Sequence, residues 1–147
     1  MNYLTPHQVL FLHSRLIDEI GGSHGVRDVG LLESAVERPK ATFGGEELYP
    51  DLFSKAAAIM LSLILNHPFV DGNKRTAIAS AAMFLLLNGR KLNATPDELQ
   101  EFTLRVADRG ATVDEVARWL REHSEPIRSK RLLSKSNAPR VGAGLSQ

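Results

Sequence analysis

Apolar residues recur at helical spacing from the start of the chain: Val9, Leu10, Leu12, Leu16, Ile17 and Ile20 share one face of a 3.6-residue period. Thr5, Pro6 and Gln8 have the form of an N-cap, a first-turn proline and a capping-box partner, and Gly21-Gly22 halts the run. The pattern predicts an amphipathic helix of about four turns. Asp28 predicts a cap for a shorter helix, Leu31 to Arg38, ended by Pro39. Lys40 to Pro50 loses the period and contains Gly44-Gly45, so it reads as a loop or a small hairpin.

Two later segments are apolar nearly all round. Leu52, Phe53, Ala56, Ala57, Ile59, Met60, Leu63 and Ile64 leave almost no polar face between Asp51 and Asn66. Ile78, Ala81, Met83, Phe84, Leu85 and Leu87 do the same between Ala77 and Leu87, before Asn88-Gly89 offers a left-handed stop. Helices of this kind belong in the centre of a domain. Thr95-Pro96-Asp97-Glu98 and Thr112-Val113-Asp114-Glu115 then open two more amphipathic helices with capping boxes. The expected fold is all-α, about six helices, with at most a short extended piece at Arg90 to Asn93 and no internal repeat.

Composition narrows this further. A chain of 147 residues, 43% hydrophobic and 24% charged, suits one soluble globular domain. Cysteine is absent, which removes disulfide scaffolds, thiol nucleophiles and cysteine-held metals. The start lacks a basic region followed by an apolar stretch, so neither a secretory leader nor a membrane span is expected, and the protein is expected in the cytoplasm. The overall charge of +1 conceals an asymmetry. Residues 1–123 are mildly acidic, whereas 124–147 carry Arg128, Lys130, Arg131, Lys135 and Arg140 against Glu125 alone. The acidic body argues against direct nucleic-acid binding, and Ser124 to Gln147 is expected to be a basic, disordered tail, having few apolar side chains to offset its ordering entropy.

The chemistry is concentrated between the two central helices, in His67-Pro68-Phe69-Val70-Asp71-Gly72-Asn73-Lys74-Arg75-Thr76. Polar groups at that density between buried helices need partners. Gly72 permits a tight turn, and Asn73-Lys74-Arg75 form the first turn of the following helix, where unpaired N–H groups and the helix dipole favour an anion. Lys74 and Arg75 add two positive charges there, so a phosphate is the natural occupant. A carboxylate, Asp71, beside that phosphate calls for a bridging cation, for which magnesium is the usual solution. Histidine is the residue type whose ordinary pKa lies near neutrality, so His67 suits a general base acting on an incoming hydroxyl. Each residue also has a plainer reading: His67 as a helix C-terminal cation, Asp71 as a cap, Phe69 as a core wedge, Lys74 and Arg75 as a solvated face. Their joint occurrence favours the chemical one, while no further carboxylate or histidine stands at a spacing that would make a zinc site.

HPFVDGNKRT resembles the core motif of the Fic/Doc (Fido) superfamily. The stretch Gly25-Val26-Arg27-Asp28 through Leu31-Leu32-Glu33-Ser34-Ala35 to Arg38-Pro39 is similar to the Doc (death-on-curing) toxin branch. The resemblance covers roughly Met1 to His123, making 1–123 a Fido domain and 124–147 its tail. It implies a helical bundle whose central pair is joined by the active loop, with a small flap hairpin within Lys40 to Pro50 that holds a target segment. By motif position His67 would be the general base, Phe69 a loop anchor and Asp71 the Mg2+ ligand. Gly72, Asn73, Lys74 and Arg75 would bind the nucleotide, with Lys74 and Arg75 also serving catalysis.

Two branches of the superfamily differ in what they transfer. Fic enzymes that move AMP carry a second glycine where this chain has Lys74 and a second arginine where it has Ile78. Doc-like toxins carry the lysine and resemble kinases that move the γ-phosphoryl group of ATP to a threonine of elongation factor Tu, arresting translation. By these positions the chain is expected to be Doc-like. At Pro68 and Gly72 it follows the Fic pattern, which keeps AMP transfer open as the alternative. A catalytically silent Fido scaffold is the second alternative, although such members would lose His67 or Asp71. No self-inhibitory helix motif is recognisable, which fits restraint by a separate cognate antitoxin protein.

Overall fold

The computed structural model describes residues 1–128. Six α-helices among them follow in the order α1 (Pro6–Ile20), α2 (Val29–Glu37), α3 (Leu52–Asn66), α4 (Asn73–Leu87), α5 (Pro96–Arg109) and α6 (Val113–Glu122). Local chemistry sets their starts. Thr5 with Gln8, Thr95 with Glu98 and Thr112 with Glu115 form the capping boxes that the sequence predicts, and Asp51 with Ser54 forms another at α3. Asp28 caps α2 by accepting from the Leu31 N–H at 3.0 Å. Pro39 does not stop the chain after α2; it sits in the first turn of a 3-10 turn, Arg38–Lys40, where a missing N–H is tolerated.

Helix α3 is the axis of the domain, packed by α4, α6, α2 and the 3-10 turn. Its residues Ser54 through Ile64 are all buried, as its circumferential apolar pattern requires. Helix α4 joins it through Ala77, Ala81, Phe84 and Leu85, and its other sides meet α1 and α5. Large fully buried side chains such as Met60, Leu63 and Phe84 each contribute about 1.5–3 kcal/mol by leaving water. The consequence for function is geometric: the polar segment between α3 and α4 springs from the two most extensively buried helices among the described residues.

The segment predicted as a loop or hairpin is a hairpin. β1 (Thr42–Phe43) pairs antiparallel with β2 (Glu46–Glu47) around Gly44-Gly45. Its root is tied to α3 by Lys55, a residue 2% exposed, whose ammonium donates to Glu47 Oε1, the Tyr49 carbonyl and the Pro39 carbonyl.

The expectation that order ends at His123 is corrected. Ser124–Pro126 form a strand, β4, antiparallel to β3 (Arg90–Leu92). The Arg90 guanidinium donates to the carbonyl and hydroxyl oxygens of Ser124 at 2.9 and 3.0 Å, and the Ile127 N–H reaches the Gly89 carbonyl at 2.9 Å. Counting apolar side chains misses such a segment, because its stabilisation comes from backbone pairing with an edge strand. The rest of the expected tail, residues 129–147, lies outside the described residues. Among the described residues no helix is long and apolar enough to cross a membrane.

Candidate active site

The loop between α3 and α4 begins at His67, the C-cap of α3, in the left-handed conformation at φ 50° and ψ 62°. The imidazole is exposed and makes no hydrogen bond among the described residues. Pro68 and Phe69 then turn inward. Phe69 is 1% exposed and its ring stacks on that of His13 from α1, with centroids 3.8 Å apart and planes 5° from parallel. His13 Nε2 also lies 2.8 Å from the Asp71 carbonyl oxygen. One buried histidine thus holds the loop at two points.

Asp71 turns outward. Its Oδ2 accepts from the Ser23 N–H at 3.0 Å and its Oδ1 from the Gly72 N–H at 2.9 Å. These two amides, with smaller help from the charge of Arg75, hold the carboxyl below its ordinary value of 3.8. The plainer reading of Asp71 as the helix cap does not apply: Gly72 is the N-cap of α4, and no side chain caps that end. Gly72 itself is left-handed at φ 78°, and a Cβ there would stand 3.0 Å from Ile17 Cδ1. Gly22 meets a harder limit, since a Cβ on it would lie 2.6 Å from Asp71 Oδ2.

The resemblance gives Asn73 and Gly72 nucleotide-binding roles, and the structure gives both another task first. The Asn73 side chain is 8% exposed; its Oδ1 accepts from the Phe69 N–H at 3.0 Å and its Nδ2 donates to the Phe69 carbonyl at 2.9 Å. This bidentate clasp closes the loop and commits one Nδ2–H and one Oδ1 lone pair of Asn73 to the backbone of Phe69. The Gly72 N–H is already given to Asp71. The groups left to meet an anion are the first-turn amides of α4 and the side chains of Lys74 and Arg75. Lys74 is exposed and makes no ion pair among the described residues; Arg75 spends one N–H on the Gly21 carbonyl at 3.3 Å.

His67, Val70, Asp71, Gly72, Asn73, Lys74 and Arg75 line one cavity of about 360 Å³, so the structure brings every sequence-predicted site residue together. Lys74 and Arg75 also border a second cavity of about 530 Å³, whose lining includes the aliphatic Ile20, Ile78, Leu99 and Leu104. No group of three carboxylates, histidines or cysteines among the described residues could hold a metal ion. Each Asp71 oxygen accepts one N–H and keeps a second lone pair. Such a donor set fits magnesium, which takes one carboxylate and completes its octahedron with phosphate oxygens and water, and does not fit zinc.

Three functional neighbours escape a motif-based reading: His13, Ser23 and Arg27. Val26 bridges Phe69, the Arg27 and Asp28 amides both donate to the Pro68 carbonyl, and the Val70 N–H donates to the Gly25 carbonyl at 3.0 Å. The chain between α1 and α2 is therefore a strap along the active loop. Its signals in the sequence are the glycine content of residues 21–25, a histidine on the buried face of α1, and the Doc-like stretch Gly25-Val26-Arg27-Asp28, none of which says what the strap touches.

The helical domain thus presents an exposed histidine, an ionised carboxylate and a cationic helix N-terminus around one small cavity, a set of groups chemically suited to a phosphate ester. The model of the Fic/DOC family matches residues 3–85, and the chain belongs to that family. It is 48% identical over 99 residues to the protein "Toxin Doc" of Mycolicibacterium smegmatis, covering 66% of this chain and 76% of the relative. It is 36% identical over 121 residues to the "Protein kinase doc" of Escherichia phage P1, covering 82% and 94% of the two chains. Both relatives stand on the Doc side of the family.

Proposed function

We propose that the chain is the toxin of a toxin–antitoxin pair, a kinase that moves the γ-phosphoryl group of Mg-ATP to a threonine hydroxyl of elongation factor Tu and so arrests translation. The observation that carries the chemistry is the convergence of His67, Asp71, Lys74 and Arg75 on one cavity at the N-terminus of α4. The printed names of the two relatives, a toxin and a protein kinase, support the class of activity. The choice of elongation factor Tu rests on the resemblance to Doc toxins.

In this reading His67 takes the proton of the threonine hydroxyl as its oxygen attacks the γ-phosphorus. The bond from that phosphorus to the bridging oxygen breaks and ADP leaves. Lys74, Arg75 and the first amides of α4 bind the phosphate oxygens and stabilise the charge that spreads over them. Asp71 would hold magnesium, which when bound neutralises phosphate charge. Ile78 supports this reaction over AMP transfer. It lines the aliphatic cavity next to Lys74, so the position where AMP-transferring relatives have an arginine offers no grip to a triphosphate end and suits a nucleoside. A silent scaffold has no need of an exposed, unpaired imidazole next to an ionised carboxylate. A cognate antitoxin, whose apolar segment folds as it covers the site, would supply the restraint.

Incubation with elongation factor Tu and Mg-ATP, followed by intact mass, tests the proposal. Gain of one phosphate, with label from γ-labelled and none from α-labelled ATP, is expected. Gain of one AMP would make the chain a nucleotidyl transferase and overturn the reading of Lys74 and Ile78.

A further inference from the structure

Helix α3 ends in a way the other helices do not. Each of the other five α-helices closes with its C-cap N–H bonded back to a carbonyl of its own last turn. His67 makes no such bond. It is also the single non-glycine residue among the described ones with a positive φ. Helices commonly put glycine in this left-handed position, because a Cβ is strained there. The chemistry proposed for the site needs an imidazole at this position, so something outside the helix must hold the strained backbone.

Arg27 is the group in place to do so. Its Nε donates to the His67 carbonyl at 2.7 Å, its terminal nitrogen to the Asn66 carbonyl at 2.6 Å, and its own backbone N–H to the Pro68 carbonyl at 2.7 Å. One residue thereby serves three successive carbonyls at the end of α3. A planar, forked donor suits this task, since it can fix the angle between two adjacent peptide planes, which a single ammonium cannot. Its positive charge also complements the negative end of the α3 dipole.

We infer that Arg27 is a positioning residue for the catalytic base: where α3 lacks a cap bond of its own, the guanidinium holds the Asn66 and His67 carbonyls and so locks His67 in the left-handed conformation that aims the imidazole at the cavity. This rests on the proposed phosphotransfer only for its kinetic consequence; the conformational claim stands independently of it. Arg27→Ala, Arg27→Lys and Arg27→Gln are compared with the wild type in the full chain. The backbone carbon chemical shifts of His67 should leave their left-handed values in Arg27→Ala and Arg27→Lys, while amide protection at Asp28 and Val70 persists because the backbone bonds of the strap remain. In the kinase assay kcat should fall at least tenfold with KM for ATP unchanged, and millimolar guanidinium, though not ammonium, should restore part of it to Arg27→Ala. Unchanged His67 shifts in Arg27→Ala would overturn the inference whatever the activity. Loss of protection at Asp28 and Val70 in all three variants would also overturn it, showing that Arg27 only fastens the strap. A wild type that transfers nothing from ATP would refute the proposed function and leave the chemical-shift result to decide on Arg27.

Discussion

His67, Phe69 and Asp71 point in different directions from one short loop, and the physical reason differs for each. Phe69 is the anchor: buried, stacked on His13 and clasped through its backbone by Asn73. Phe69→Ala should therefore destabilise the fold by about 3–5 kcal/mol, read from urea unfolding, as for other large core truncations. His67 is exposed, so His67→Ala should leave the melting temperature within a few degrees while lowering transfer about 10²–10⁴-fold in the γ-label assay. Wild-type activity in that variant would refute the base assignment. Asp71 has a depressed pKa, caused first by the Ser23 amide and next by that of Gly72. Its two bonds thus stabilise the folded state fully above the ordinary carboxyl value of 3.8, and the contribution fades as pH falls through the lower folded value. Urea midpoints of wild type and Asp71→Asn should differ at pH 6 and converge in strong acid. Over the same range near neutrality, any pH dependence of activity should not come from Asp71.

At the scale of elements, the flap hairpin depends on a helix that is distant in sequence. β1 and β2 are two residues each and exposed, too short to stand alone, and Lys55 of α3 fastens their root through Glu47, Tyr49 and Pro39. Arg38 adds a second tie, donating to the Tyr49 hydroxyl at 2.9 Å and the Ser62 hydroxyl at 3.0 Å. Lys55→Met would leave the buried Pro39 carbonyl and the half-buried Tyr49 carbonyl without this donor, an expected loss of about 1–3 kcal/mol for the buried one and less for the other. Hydrogen exchange should quicken at residues 42–48 in this variant while the amides of α3 stay protected. If the hairpin serves to hold the target segment, KM for the protein substrate should rise more than KM for ATP.

For the whole molecule, the last strand closes a circuit from the C-terminal end of α6 back to the end of α4. Asn93 donates to the His123 carbonyl at 2.8 Å, and β4 completes the pairing with β3. Ending the chain after His123 should therefore cost about 1–3 kcal/mol relative to ending it after Arg128, from the lost backbone bonds and the Arg90–Ser124 contacts. Equal melting temperatures for the two truncations would show that β4 adds nothing.

Helix positions were legible from residues 1–128 because caps and apolar periodicity are local: Thr5, Thr95 and Thr112 act within one turn of themselves, and a circumferentially apolar α3 has nowhere to go but the centre. The motif residues His67 to Arg75 were legible because contiguous sequence keeps them in one loop. What sequence order could not express is contact between segments far apart along the chain. Asn73 belongs to the motif, yet its amide turned out to be committed to Phe69, a matter of loop closure that residue type alone leaves undecided. His13, Ser23 and Arg27 are 40 to 58 positions from the loop atoms they hold, and they become neighbours only when α1 packs on α4 and the strap lies beside Phe69. The sequence determined which reactive groups the motif brings to one loop and helix start; tertiary packing decided how they are aimed, because orientation is fixed by partners that the linear order keeps apart.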